Sequence, residues 1–538
     1  MSTDKPTVPE EQPLKQNEEK KETKQENSKF QFEKKSFAEK LLYIKSNITV
    51  EPILAGLVIP SMLSRLAIQN LNLEKACRIR LGHDQYTCDA LIRKDGNATF
   101  NSTSSFTNYE AEVQKVISSI EAWKSVVQTA LPTLLVIFMG AWSDRTGNRK
   151  FCILLPIIGE LLVCISNIIS TIFFDEIPVE VTMFFEGFFP AITGGWVLMY
   201  LGVFSYISDV TSPEARTFRV GLVNLCMTAG IPIGTALSGI LLKLWGYYGI
   251  FTISGLIYVL NLIYGLVYLK SRTKKGDKEN EKKNALTLKE LGSLVKETAA
   301  FAFKKREGNM RQKVIITLLI VAIVYGPGHG ERIVFYMYLR YKLKWNAVKF
   351  SMYSTYSVIT HSLGALFSIS VFSKRWGFHD SALCLISIIS KLVGSIYIVF
   401  VTTDFQMFML PIIEILNATT WTSLRSMASK LVPSEELGKM NSLFSLVETL
   451  AALVFDPMYS GIYRLSIDVF SGAVFIFSAG MLLPAITLLL WVFVQHRRET
   501  RQRRTKAKEE RSEIEKAETE VIMTDVKRCS IDVIQALE

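Results

Sequence analysis

The sequence predicts an all-α membrane protein with twelve transmembrane helices arranged as two six-helix halves. Three observations carry this. The apolar residues fall in runs of about 20, the length that crosses a bilayer core. Lysine and arginine collect in alternate connecting segments. A long basic segment divides the runs six and six, and short motifs recur after corresponding runs of the two sets.

Of 538 residues, 49% are hydrophobic with glycine left uncounted, 21% are charged, and the mean hydropathy is +0.24. These values exclude an intrinsically disordered chain. The apolar runs lie near 48–71, 119–142, 151–173, 182–208, 220–242, 250–269, 314–339, 348–372, 381–403, 405–429, 440–463 and 469–494. Each is read as a helix, because a backbone in lipid must satisfy its own hydrogen bonds. Residues 1–47 form a polar, solvated tail without the features of a cleavable signal peptide, so the first run acts as its own insertion signal.

With both termini cytosolic, the inner segments 1–47, 143–150, 209–219, 270–313, 373–380, 430–439 and 495–538 carry 44 lysines and arginines, against 11 in the outer ones. That asymmetry orients the chain. It also turns the net charge of +11 into a topology signal rather than a nucleic-acid footprint. The outer loop 72–118 contains Asn97-Ala98-Thr99 and Asn101-Ser102-Thr103, two glycosylation acceptors. The sequons at Asn47 and Asn417 fall on the cytosolic side and within a span, where they are silent. Seven cysteines are too few for a disulfide scaffold. Cys77 and Cys88 share the outer loop, in an oxidising environment, and are expected to pair. Cys152, Cys164, Cys226 and Cys384 read as packing residues of the spans.

The segments are therefore a tail (1–47), a first half (48–269) with its outer loop, a basic linker (270–313), a second half (314–494) and a charged tail (495–538). The linker holds 14 basic and 6 acidic residues and reads as a surface segment drawn to anionic lipid. Ser143-Asp144-Arg145-Thr146-Gly147 follows the second run, and Ser373-Lys374-Arg375-Trp376-Gly377 follows the eighth. Pro213-Glu214-Ala215-Arg216 follows the fourth, and Pro433-Ser434-Glu435-Glu436-Leu437-Gly438-Lys439 the tenth. Matched pairs at matched places point to a duplicated six-helix unit that rocks about a midplane site.

The segment Gly140-Ala141-Trp142-Ser143-Asp144-Arg145-Thr146-Gly147-Asn148-Arg149-Lys150 resembles the signature of the major facilitator superfamily between its second and third spans. Gly140 allows close helix approach, Gly147 a tight turn, and Asp144 a cap or an ion pair. The resemblance implies a major facilitator fold and a cytoplasmic latch made of Gly140, Asp144, Arg145, Gly147, Arg149 and Lys150, with Asp209, Arg216 and Arg219 beside it. Asp209-Val210-Thr211 with Arg216-Thr217-Phe218-Arg219, the segment Arg425-Ser426-Met427-Ala428-Ser429-Lys430-Leu431-Val432 with Glu436 and Gly438, and Glu51-Pro52 narrow the likeness. They are similar to the proton-coupled folate transporter family, solute carrier family 46. Arg425 matches an arginine used in folate transport. The acids of the folate-transporting member's fourth and fifth spans fall here on Gly195 and Asn224, and its seventh-span histidine falls near Gly326, one turn from His329. These departures place the chain closer to the members that move muramyl peptides and anionic conjugates.

The runs hold eight acids and six bases. An ionisable residue at membrane depth costs several kcal/mol and faces a partner or a cavity. Glu51, Arg65, Glu121, Lys124 and Lys243 are read as near span ends, where they can snorkel. Glu160 is read as structural. The substrate or coupling candidates are Arg425, whose planar fork suits an anion, with Glu186, Glu414, Glu448 and Asp456, and His329, Glu331 and His361. Gly326-Pro327-Gly328-His329-Gly330 is expected to break the seventh helix.

No metal-ligand spacing, phosphate-binding loop or nucleophile elbow is present in the sequence, so neither an enzyme nor a bound cofactor is expected. The sequence reads as a secondary active transporter that moves a small organic anion, coupled to protons, by alternating access. It would work in the plasma membrane or the lysosomal membrane, with no nucleic-acid partner. A folate transporter and a non-transporting, transporter-like receptor or scaffold are the alternatives.

Overall fold

The computed structural model describes residues 48–94, 103–211, 213–269, 310–433, 436–495, 497–499, 501, 502 and 505. The glycosylation acceptors Asn97 and Asn101 and most of both tails and of the linker lie outside these residues, as do the side chains of Asp144, Arg145 and Arg216.

Among the described residues every regular element is helical. The first is α1 (Glu51–Lys75), with Pro52 in its first turn, where a missing N–H costs nothing. It ends in a π-helical turn, Ala76–Arg80. The short α2 (Gln85–Arg93) follows, started by the Asp84 carboxylate accepting from the Thr87 amide at 3.0 Å. Cys77 and Cys88 are joined and tie α2 back to the end of α1. Next come α3 (Thr103–Thr146), α4 (Arg149–Ile172), α5 (Val179–Ile192), α6 (Gly195–Val210) and α7 (Pro213–Tyr268). The second set is α8 (Met310–Leu343), α9 (Ala347–Ser368), α10 (Asp380–Phe400), α11 (Asp404–Ile413), α12 (Thr420–Lys430), α13 (Leu437–Phe470) and α14 (Ala473–Glu499).

Ten of the described helices are long and apolar enough to cross a membrane. One of them covers 50 residues and turns at Gly246, whose φ of 62° only glycine adopts readily. Its two arms both lie on α1. Ser238 donates to the Leu63 carbonyl at 2.6 Å, and Gly230 faces Val58. On the return arm Asn261 donates to the Ile53 carbonyl at 2.9 Å and Ser254 to that of Pro60 at 3.4 Å. One arm therefore runs with α1 and the other against it, giving two crossings. A further crossing comes from α11 and α12, joined through a 3₁₀ turn, Ile415–Thr419. Twelve crossings result.

The seventh span corrects the expectation of a break: α8 runs without interruption through Pro327. The glycines there serve packing instead. A Cβ on Gly326 would strike the ring of Phe455, and one on Gly330 the ring of Tyr459, both from α13. The interruptions fall in the fourth span, at Thr193 and Gly194 (φ 79°), and in the tenth, at Glu414–Thr419. These are equivalent places in the two halves, and broken helices at equivalent places mark the working site of a repeat-built transporter.

Across the halves α3 packs on α13, and α7 on α9. Between their outer ends lies a buried polar network. Arg340 of α8, 1% exposed, donates to Glu110 Oε1 at 3.1 Å, to Asn70 Oδ1 at 3.2 Å and to the Leu91 carbonyl at 2.7 Å. Lys94 donates to the other Glu110 oxygen at 2.9 Å. Gln114 donates to Glu110 and to the Met337 carbonyl and accepts from the Tyr463 hydroxyl at 2.6 Å. Lys115 pairs with Asp468 at the rim. Burial pushes the Lys94 ammonium down to about 8 against the pull of Glu110, so the loop itself is desolvated here. Removing one partner of such a group leaves a buried charge behind, at about 3–5 kcal/mol. Arg340→Met is therefore expected to lower the thermal unfolding midpoint and to raise labelling of Asn70→Cys by an impermeant thiol reagent from the outer face. Unchanged labelling would show that this network does not hold the outer ends together.

Candidate functional site

The polar residues of the membrane interior gather into four groups. The first faces the space between the halves. Arg65 lies at the middle of the first crossing, Glu51–Arg80, and is exposed. It is within electrostatic range of Arg332, on α8 of the opposite half, and of Glu121 on α3. Arg332 is exposed as well, and neither arginine makes an ion pair among the described residues. This placement corrects the reading of Arg65 as a span-end residue. Arg332 was not singled out from the sequence, although an arginine in mid-span was the available signal.

The second group lines α8, α12 and α13. Asp456 Oδ1 and His329 Nδ1 are 2.7 Å apart. Tyr325 stacks on His329 (centroids 5.6 Å) and packs against Trp421 (5.0 Å). The Arg425 guanidinium lies 5.9 Å from the Trp421 ring and 5.1 Å from that of Phe444, and bonds Glu448 at 3.2 Å. Almost half of its side chain remains exposed. Aromatic faces against a cation hold it in place without consuming its hydrogen-bond donors. Such a surface suits an anionic head on an apolar body. Glu448 and Asp456, eight residues apart, both reach partners of the second half, as their shared helix face requires.

The third group is buried. Lys391 of α10 bonds Glu331 of α8 at 2.8 Å and Glu414 at the α11 break at 3.0 Å. His361 of α9 bonds Ser357 through Nδ1 at 3.3 Å, and its Nε2 has no partner among the described residues. Lys391 was also not singled out from the sequence. In the first half Glu186 accepts from Asn72 at 2.9 Å and from Lys124 at 3.4 Å, and Lys124 also bonds Glu121 at 3.1 Å. Lys124 is 10% exposed, so it is a buried partner rather than a snorkelling residue. Glu160 accepts from Tyr258 at 3.4 Å, within one half.

The fourth group lies at the inner ends. Arg149 bonds Asp209 at 3.1 Å and Ser143 at 3.1 Å. Lys150 donates to the Leu266 carbonyl at 2.6 Å. Arg219 bonds Glu51 at 3.1 Å, with both side chains buried, so Glu51 does not snorkel either. Gly140 packs on Leu201, and Gly147 takes the positive φ of its turn, 71°. In the second half Asp380 pairs with Lys430 at 2.7 Å. The Arg149–Asp209 pair joins the start of the third span to the end of the fourth. Asp380–Lys430 joins the start of the ninth to the end of the tenth with the signs exchanged, and so repeats it at the equivalent place.

Residues 117–456 match the Major Facilitator Superfamily. The mouse lysosomal proton-coupled steroid conjugate and bile acid symporter SLC46A3 is 26% identical, over 75% of this chain and 89% of its own length. The probable peptidoglycan muropeptide transporter SLC46 of Drosophila melanogaster is 23% identical, over 84% of this chain and 86% of its own. Among solved structures, the human organic anion transporter MFSD10 (TETRAN) superposes with a TM-score of 0.54 at 14% identity, covering 82% of this chain and 98% of that one. A POT family transporter in complex with a thioalcohol-conjugated peptide gives 0.51 at 13%, covering 83% and 96%. At these identities the superpositions speak for the fold. The chain belongs to the major facilitator superfamily, whose members are transporters rather than enzymes, and its sequence is similar to those of solute carrier family 46 members.

Proposed function

We propose that this secondary transporter moves small organic anions by alternating access in symport with protons, and that it works in the lysosomal membrane with both termini cytosolic. One observation carries the substrate class: Arg65, at mid-span in the first half, and Arg332, in the second, lie within electrostatic range of each other, and neither makes an ion pair among the described residues, Glu121 being within range of Arg65 but not bonded to it. Two such cations repel, and an anion between them relieves the repulsion while bridging the halves. Arg425, held over Trp421 and Phe444, supplies a third cation beside an aromatic wall. That combination favours a conjugate with an apolar body and a carboxylate, sulfate or phosphate head. The printed functions of the mouse and fly relatives, a steroid conjugate and bile acid symporter and a muropeptide transporter, support the same class. Gly195 and Asn224, where the folate-transporting member carries acids, weigh against folate.

The latch residues Gly140, Asp144, Arg145, Gly147, Arg149, Lys150, Asp209, Arg216 and Arg219 are assigned to control of the inner opening. The described pair Arg149–Asp209 supports that role, since an exposed pair with Asp209 41% accessible breaks at little cost.

Uptake of a labelled bile acid, a steroid conjugate, a muropeptide and folate into proteoliposomes under an imposed pH gradient tests the reading. Saturable accumulation of one of the first three, abolished by a protonophore, is expected. Accumulation of folate alone, or no saturable uptake, overturns it. Arg332→Gln is expected to raise KM at least about tenfold, the loss of one charge-assisted contact of about 1.5–3 kcal/mol. Arg425→Lys keeps the charge and loses the planar fork. It is expected to raise KM about threefold to tenfold with the maximal rate little changed. Normal transport at low substrate concentration would show that no fork-specific contact is made there.

A further inference from the structure

We propose that Glu331, Lys391 and Glu414 together form the proton-binding element of this transporter, with Glu331 Oε1 as the atom that takes the proton. The inference rests on the symporter reading above and names the site of its coupling ion.

The argument begins with charge. One ammonium serves two carboxylates, at 2.8 Å and 3.0 Å. With all three groups ionised, the cluster carries one uncompensated negative charge. Both carboxylates are 8% exposed, and Glu331 Oε1 is buried with no hydrogen-bond partner among the described residues. A carboxylate oxygen left so in a low-dielectric interior is unfavourable, and one proton neutralises the cluster. Protonation converts the Glu331 carboxylate to a carboxylic acid, while Lys391 stays paired with Glu414. No other atom changes hands.

The surroundings do not supply the missing charge. From α8, Arg332 follows Glu331 and lies within electrostatic range of Arg65, but makes no ion pair with Glu331 among the described residues. From α9, His361 lies within electrostatic range of Lys391 and Arg332, and Tyr353, beside Tyr356, within range of Glu414. From α13, Tyr459 faces Glu331 and donates or accepts at Ser478, 2.5 Å away. His329 is two residues back on α8, on a different helix face, and is engaged with Asp456. None of these is a cation bonded to Glu331 Oε1.

Position adds the second half of the case. Lys391 lies at the middle of α10, and Glu414 lies where the tenth span breaks between α11 and the 3₁₀ turn. Gly394, one turn from Lys391 on the same face, leaves the space that the Glu414 carboxyl fills. The cluster therefore joins α8, α10 and the interrupted span, three elements that must shift when the second half opens or closes. Lys391 keeps a fifth of its side chain exposed, which leaves a way in for a proton. A neutral cluster can be closed over. A charged one resists closure, because the cost of burying it rises as water leaves. This ties the proton to the conformational step.

Glu331→Gln tests the proposal, since it fixes the cluster in its neutral form without changing its shape. In proteoliposomes, exchange of labelled for unlabelled bile acid at equal pH requires no net proton movement, whereas accumulation driven by a pH gradient does. The variant is expected to keep exchange within about threefold and to lose gradient-driven accumulation about tenfold, with a rate that no longer depends on pH. Glu331→Asp is expected to restore a pH-dependent rate. Gradient-driven accumulation by Glu331→Gln equal to that of the parent overturns the proposal. Absence of exchange in the parent overturns the transport reading instead. In that case, or if the variant exchanges poorly, the unfolding midpoint of the purified full chain is followed against pH. A pH-dependent step present in the parent and missing in Glu331→Gln supports the proposal, and a step that persists in the variant overturns it.

Discussion

The ion pair between Arg340 and Glu110 is the contact on which the relation of the two halves depends. It is dry, it crosses from the second half to the first, and it has further partners on both sides. Arg340 reaches Asn70 of α1 and a carbonyl of α2, so a single guanidinium joins the first crossing, the outer loop and the seventh crossing. The disulfide places α2 where that carbonyl can be reached. A surface pair would contribute almost nothing to such a junction. Here each charge would be stranded if the other left, and that asymmetry holds the outer ends together.

The same rule organises the rest of the interior. Arg219 and Glu51 form a matched pair, while in the first half Lys124 serves both Glu186 and Glu121. The informative places are those where the match is incomplete. Arg65 and Arg332 have a surplus of positive charge between them, and the Glu331–Lys391–Glu414 cluster has a surplus of one negative charge. An anionic load and a proton are the two species that would complete them. A carrier that binds both at separate places, one between the halves and one inside the second half, has the elements of coupled transport.

The internal repeat is visible at three levels. Motifs recur in the sequence, helix breaks fall in the fourth and tenth spans, and the inner-end pairs Arg149–Asp209 and Asp380–Lys430 occupy equivalent positions with exchanged signs. Exchange of sign preserves the attraction and shows that the pairing, not the particular residue, is what the position requires. The buried acids are not equivalent. Glu186 accepts from the Asn72 amide as well as from Lys124, which it shares with Glu121, whereas Glu414 shares Lys391 with Glu331 and has no amide among its described partners.

By itself the sequence determined the class and the number of crossings, because bilayer thickness sets the length of the apolar runs and lipid forbids unpaired backbone, and its motifs marked the superfamily. It also marked most of the interior charges, since each stands out against an apolar run. It misjudged α8, where Gly326, Pro327 and Gly330 signal a break in isolation but accommodate the rings of Phe455 and Tyr459 in the fold. Residues more than a hundred positions away supplied the packing that local propensity could not include. It also passed over Arg332 and Lys391, because a charge becomes informative only when its neighbours are known. Whether a buried lysine has one acid or two, and whether two arginines face each other, follows from which helices are adjacent. Tertiary structure alone decided that adjacency.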